Sequence, residues 1–219
     1  MRLGVLISGR GSNLQALIKA CAYPAYPAEI AVVVSNRSAA PGLAHAAAAN
    51  LPSVVIADRD QQAFAAAADA QLRAAGVELV CLAGFMRLLA NDFVETWRDR
   101  MINIHPSLLP AFPGLHAQRQ ALAAGVRFAG CTVHFVRPEV DTGPIIAQAV
   151  VPVHPEDDES RLSARILAAE HHLYPFAVRL VAEGRTRVVD NRVSVTGWRT
   201  PGATLLNPAP PDLLVSSGG

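Results

Sequence analysis

The chain has 219 residues, 51% of them hydrophobic and 17% charged, with a formal net charge of +1. This length suits one domain with an extension better than two full domains, and the apolar content can build a sizeable core. The balanced charge, without a basic stripe, argues against a nucleic-acid partner, and no segment approaches 18 uncharged apolar residues, so no membrane span is expected.

Short apolar runs alternate with alanine-rich stretches of helical length. Strands are predicted at Leu3–Ile7, Ile30–Ser35, Val54–Ile56 and Glu78–Ala83, and helices at Asn13–Ala20, Gly42–Ala49 and Gln61–Ala75. Strand-like runs separated by longer helical patterns read as βαβ units and a parallel sheet. A strand at Met101–His105 follows, then the proline-rich loop PSLLPAFPG and a short helix at Gln118–Ala124. Two further strands, Ala129–Val136 and Ile145–Val153, are joined by RPEVDTGP, too short for a helical crossover, so they are expected to pair antiparallel. A long helix from Ser160 to Glu183 contains Pro175, which is expected to kink it. A weak hairpin at Arg187–Val195 is expected to add an edge, and after Thr200 the Pro, Gly and Ser content predicts disorder.

The expected fold is therefore a single α/β domain: a mostly parallel twisted sheet flanked by helices, with an antiparallel C-terminal portion. It divides into a domain over residues 1–184, a hairpin extension over 185–200 and a disordered tail over 201–219. Cys21, Cys81 and Cys131 are widely spaced and odd in number, which reads as reduced thiols rather than a disulfide frame. No CxxC or HxxxH spacing occurs, so no metal is expected. The N-terminus enters a strand-like run directly, without the features of a signal peptide, and a cytoplasmic location is expected.

Two stretches carry chemistry. The first is SGRGSN, Ser8–Asn13, at the carboxyl end of the first predicted strand, where open α/β sheets bind ligands. Gly9 and Gly11 permit a sharp turn and close approach of a ligand. Ser12 and Asn13 are good helix-capping residues, and the free N–H groups of the first turn suit an anion. Leu14 stands where a dinucleotide fingerprint needs a third glycine or alanine, and no Gly-Lys-Ser/Thr follows, so NAD and ATP are disfavoured. From these residues alone, a ligand-free tight turn is an equal alternative.

The second is MINIHPSLLP. Strand alternation puts Asn103 and His105 on one face, and Ile102 and Ile104 on the other. Asp141, in VDTGP, leaves the next strand pair by a turn. An Asn amide and a protonated His can hold an oxyanion on a tetrahedral carbon, and a neighbouring Asp favours the protonated imidazole. No nucleophile elbow or Cys–His pair stands out, so acyl transfer to an external nucleophile fits better than a covalent acyl-enzyme. Taken singly, each residue also has a bland reading: a strand end, a satisfied histidine, an Asx turn. A metal set of His105, His134 and Asp141 is a further alternative.

Together LISGRGSNLQALI, LAGFMRLL, INIHPSLLPAFPGLHAQRQAL, GCTVHFVRPEVDTGPIIAQAVVPV and AAEHHLYP resemble the phosphoribosylglycinamide formyltransferase family, folate-dependent enzymes of purine synthesis. The HPSLLP and D-x-GPI blocks are shared with the wider formyltransferases, and GSNLQAL narrows the match to the glycinamide branch. The resemblance implies a Rossmann-like formyltransferase fold, with 10-formyltetrahydrofolate as co-substrate and the amine of 5′-phosphoribosylglycinamide as acceptor. It implies small-molecule substrates and a monomer or homodimer. Gly11, Ser12 and Asn13 match the family's loop for the ribonucleotide phosphate, and Glu170 matches a carboxylate that holds the ribonucleotide. Met86, Arg87, Leu88 and Leu89 match the segment around the folate pterin. Val140, Thr142, Gly143 and Pro144 match the folate loop. Asn103, His105 and Asp141 match the catalytic trio. One departure is visible: where the family often has an Arg meeting the folate tail, this chain has Gln62, with Arg59 nearby.

The rivals are a formyltetrahydrofolate deformylase, a methionyl-tRNA formyltransferase and a non-catalytic folate or nucleotide module. The first usually has an N-terminal regulatory domain and the second a basic C-terminal domain. Neither is expected of this chain, and binding alone does not need the Asn–His–Asp set.

Overall fold

The computed structural model describes residues 1–197, Gly202 and residues 205–207. A seven-stranded sheet is built around β1 (Arg2–Ile7), whose LGVLI run is buried throughout. Such a continuous apolar run is what a parallel strand covered on both faces requires. From β1 the chain passes through α1 (Ser12–Cys21) to β2 (Glu29–Ser35), then through α2 (Gly42–Ala48) to the short β3 (Ser53–Val55). α3 (Gln61–Ala74) returns it to β4 (Leu79–Leu82) on the far side of β1, and α4 (Asn91–Thr96) leads on to β5 (Met101–His105).

The first five strands are mutually parallel. After α5 (Ala117–Ala123), β6 (Phe128–Phe135) pairs antiparallel with β5, and β7 (Ile145–Pro152) antiparallel with β6. The resulting order is 3-2-1-4-5-6-7. It reverses between β1 and β4, so a crevice opens at the carboxyl ends of those strands.

Two cores sandwich the sheet. One joins α1 and α6 (Glu159–Ala182) to the strand face carrying Val5, Cys81, Ile102, Ile104 and Val133. The other joins α3 and α4 to the face carrying Leu6, Val34, Val80 and Met101. Ile102 and Ile104 thus lie in the first core, which leaves Asn103 and His105 on the opposite face, as the alternation predicts. Asp60 and Asp158 cap α3 and α6 by accepting the Ala63 and Arg161 N–H groups.

α6 places Tyr174, fully buried, so that its hydroxyl donates to the Leu82 carbonyl at 3.0 Å, with the Ile102 carbonyl at 3.4 Å. It therefore ties β4 to β5 just before the site. Tyr174→Phe is expected to destabilise the fold by about 1–2 kcal/mol, read as a lower midpoint in urea with an unchanged slope.

Two expectations change. Helix α4 was not predicted; its short amphipathic run buries Phe93 and Val94, with Trp97 just beyond. The C-terminal hairpin, β8 (Thr186–Val189) and β9 (Arg192–Val195), forms its own two-stranded sheet rather than an edge of the main one. α6 continues as a helix through Pro175. Of the tail expected to be disordered, Asn207 donates its side-chain amide to the carbonyls of Arg127 and Val153. Most of that tail lies outside the described residues. No helix among the described residues is long and apolar enough to cross a membrane.

Candidate active site

At the carboxyl end of β1 the chain turns through Ser8–Gly11 into α1. Gly11, not Ser12 or Asn13, is the capping residue; it adopts φ 73°, ψ 25°, and no side chain caps the helix. Two facts require glycine there. The left-handed backbone disfavours other residues, and an added Cβ would lie 2.6 Å from the Cα of Gly42. Gly42 also donates its N–H to the Gly9 carbonyl at 2.9 Å, pressing the start of α2 against the corner. Ser12 and Asn13 are consequently the first helical residues. The first intrahelical bond is from Gln15 N–H to Gly11 O. The preceding N–H groups are left for an anion.

We expect Gly11→Ala to destabilise the protein by about 1–2 kcal/mol from its left-handed backbone alone. It should also raise the KM for any anion bound at the corner, which steady-state kinetics beside a urea melt would measure.

The Asn13 side chain turns inward and donates to Glu170 Oε2 at 2.7 Å. Glu170 is buried on α6, and burial pushes its carboxyl up to about 7, against the smaller opposing effect of the Asn13 hydrogen bond. The side-chain oxygen of Asn13 is buried without a partner.

The neighbouring loop after β4 is held from this corner. Ser8, itself buried, accepts the Met86 N–H at 2.8 Å. The Arg87 guanidinium donates to the carbonyls of Asp58 and Arg59 and lies 4.8 Å over the Phe64 ring. It therefore acts as a brace that brings residues 58–60 beside the Met86–Leu89 segment. Met86 and Leu88 remain 66% and 69% exposed, an apolar surface next to backbone polar groups, while Leu89 packs toward the second core. Arg59 and Gln62 are exposed and have no side-chain partner among the described residues. Across the crevice Val140 is also exposed. Thr142 donates to the Glu139 carbonyl, bracing the turn. An added Cβ on Gly143 would lie 1.7 Å from the Phe135 carbonyl, so glycine lets the Val140–Pro144 turn pack against β6.

Between these segments the polar side chains converge. Asn103 is directly opposite His134 across the antiparallel β5–β6 pair. Asn103 Nδ2 is 3.3 Å from His134 Nε2, and His134 Nδ1 is 2.9 Å from the Phe135 carbonyl. His134 Nε2 faces both the Asn103 amide and the Asp141 carboxylate, so it accepts from the one or donates to the other according to its tautomer, and at least one amide hydrogen of Asn103 stays available. Asp141 sits in a left-handed turn at φ 55°. Its Oδ1 is 3.6 Å from His134 Nε2, and its Oδ2 is 3.2 Å from His105 Nδ1 and accepts the Gly114 N–H at 2.8 Å. Burial raises the Asp141 carboxyl, but His134, the Gly114 N–H and the His105 charge outweigh it and hold the group below the usual carboxylate range. His105 Nε2 is 3.0 Å from the Phe112 carbonyl. Both His105 nitrogens thus face acceptors, an arrangement satisfied in full by the imidazolium with its two N–H donors.

All three predicted trio residues meet here. So do the members of the alternative metal set, but one carboxylate bridges the two imidazoles, and the described residues contain no group of three or more His, Cys, Asp or Glu arranged to hold a metal. His134 is buried and stands between Asn103 and Asp141. The Phe112 carbonyl and the Gly114 N–H also belong to the network, and Ser8 Oγ holds the Met86 loop, though nothing in their residue types singled them out.

Named relatives match most of this chain. The trifunctional purine biosynthetic protein adenosine-3 of Drosophila pseudoobscura pseudoobscura is 53% identical over 193 residues, 86% of this chain. The chain spans only 14% of that relative's length. The phosphoribosylglycinamide formyltransferase of Escherichia coli (strain K12) is 41% identical over 92% of this chain and 96% of its own. The solved structure of glycinamide ribonucleotide transformylase 1 from Symbiobacterium toebii matches with a TM-score of 0.86 and 52% identity, covering 89% of this chain and 93% of that one. The sequence model described as Formyl transferase matches residues 1–178. With that match across most of its length, the chain belongs to the formyl transferase family.

Proposed function

We propose that this chain transfers the formyl group of 10-formyltetrahydrofolate to the amine of 5′-phosphoribosylglycinamide, a step of purine synthesis. One observation carries the reading: the Asn103–His134–Asp141–His105 network lies at the same sheet edge as an anion-suited corner on one side and an apolar platform on the other. The corner Gly11–Asn13 takes the ribonucleotide phosphate, and Glu170, held by Asn13, faces the ribose side. The platform of Met86, Leu88 and Val140, with backbone groups between, suits a flat heteroaromatic ring. Arg87 holds the loop of Arg59 and α3 beside it, so Arg59 or Gln62 meets the acidic folate tail.

Chemistry then follows from the network. The amine lone pair attacks the formyl carbon. Asn103, through its remaining amide hydrogen, and His105, through an N–H released by a neighbouring acceptor, hold the oxyanion. Asp141 pairs with the His105 Nδ1 and orients the imidazole. The carbon–N10 bond breaks as the proton lost by the amine reaches N10 of the folate. Binding both substrates at once removes the need for an enzyme-bound formyl group.

The test is folate absorbance with purified protein and 10-formyltetrahydrofolate, with and without the ribonucleotide. Release that requires the ribonucleotide supports the transferase. Equal release without it would make the chain a deformylase.

A further inference from the structure

The corner at Gly11–Asn13 is flanked by two basic side chains, Arg10 and His45. Arg10 stands between Gly9 and Gly11; it is exposed and has no carboxylate or carbonyl partner among the described residues. His45 lies on α2, the helix pressed against the corner, and its Cδ2 is 3.5 Å from where a Cβ on Gly11 would stand. No side-chain hydrogen bond engages its ring among the described residues, although it is partly buried. In the same first turn Asn13, only 7% exposed, keeps a side-chain oxygen without a donor. A buried acceptor of this kind is normally satisfied, and here the missing donor fits a ligand hydroxyl.

We propose that Arg10 and His45 form the cationic half of the ribonucleotide phosphate site, opposite the N–H groups of α1, and set the enzyme's preference for a phosphorylated over an unphosphorylated acceptor. This rests on the reading of Gly11–Asn13 as the phosphate corner. The helix start supplies fixed backbone donors and a partial positive charge; a phosphate dianion has more acceptor sites than one turn can fill. Arg10 offers a planar pair of N–H donors to the outward oxygens. The His45 ring, packed over Gly11, offers an N–H in either of its neutral forms and two when protonated. Because α2 is tied to the corner through the Gly42 N–H and Gly9 carbonyl, His45 is held in place before any ligand arrives.

The experiment compares two acceptors, glycinamide ribonucleotide and the dephosphorylated riboside, in the wild type and in Arg10→Ala, His45→Ala, His45→Arg and Ser12→Ala. With the ribonucleotide, Arg10→Ala and His45→Ala should each raise KM by about 10-fold, with kcat and the folate KM unchanged, as expected for loss of a charge-assisted hydrogen bond. With the riboside, both variants should match the wild type. His45→Arg should recover the ribonucleotide KM, which separates loss of charge from loss of packing over Gly11. An unchanged ribonucleotide KM, or an equal loss with both acceptors, would overturn the proposal. If the wild type itself does not discriminate between the acceptors and Ser12→Ala is silent, the corner reading fails. If the wild type discriminates and Ser12→Ala raises KM while Arg10→Ala and His45→Ala do not, only this inference fails.

Discussion

Replacing Asp141 with Asn is expected to lower kcat by about 10²–10⁴-fold, the usual effect of removing a group that governs proton transfer. The backbone should survive the change, because Asp141 sits at φ 55° and Asn tolerates the left-handed region as well as Asp does. The Gly114 N–H can still be accepted by the Asn carbonyl. What disappears is the charge facing His105 Nδ1 at 3.2 Å. On the proposed mechanism, the His105 donor to the oxyanion then loses the anion that faces it. Because the partners of Asp141 among the described residues are Gly114, His105 and His134, and none belongs to the Gly11–Asn13 corner, the ribonucleotide KM should change little. His105→Ala should be comparably severe in kcat. Near-normal turnover in either variant would remove that residue from the mechanism.

Asp141 and Glu170 respond to pH in opposite directions. The Asp141 carboxyl is depressed, so its contribution to stability is present above the ordinary carboxylate range and is lost only as pH falls through its lowered value. Glu170 is raised from 4.5 to about 7. Between those values the folded protein keeps a proton that the unfolded chain has released, so stability falls as pH rises through that window. The displacement corresponds to about 3 kcal/mol at most.

Glu170→Gln, the second large expected effect, should therefore stabilise the protein at pH 8 by up to about 3 kcal/mol and leave it nearly unchanged at pH 4. The amide can still accept from Asn13 while needing no ionisation in a buried place. Function should move the other way. A Gln in place of the carboxylate is a weaker acceptor for ribose hydroxyls, and the ribonucleotide KM should rise by about 10-fold at pH 8. Melts at the two pH values, paired with steady-state kinetics, check both halves. A variant less stable at pH 8 than the wild type would mean that Glu170 is ionised and satisfied in the folded protein. The combination would make Glu170 a case of stability given up for binding.

The strands of the fold were readable because parallel strands buried on both faces are continuous apolar runs, as in LGVLI and LVCL. Helix α4 escaped because six residues give less than two turns of period. The same limit applies at the corner, where the glycines were evident but not that Gly11 itself caps the helix, since its left-handed backbone follows from contact with Gly42. At the centre, the alternation of β5 placed Asn103 and His105 on one face. The link through His134 depends on the β5–β6 register, which is set by long-range pairing across α5 and is not encoded locally. Ser8 and Met86, 78 residues apart, meet for the same reason. Backbone groups such as the Phe112 carbonyl and the Gly114 N–H leave no mark in residue type, so the parts of the network that hold His105 and Asp141 in place were the least visible.

The most direct test of direct formyl transfer at the Asn103–His105–Asp141 centre is a single turnover with 10-formyltetrahydrofolate labelled in the formyl group, enzyme in excess, quenched in acid at successive times. Direct transfer predicts label passing from folate to the ribonucleotide in one phase, with none on the protein and none as formate, and the same course slowed in Asp141→Asn. Label appearing on the protein before the product, or as formate whether or not the ribonucleotide is present, would contradict it.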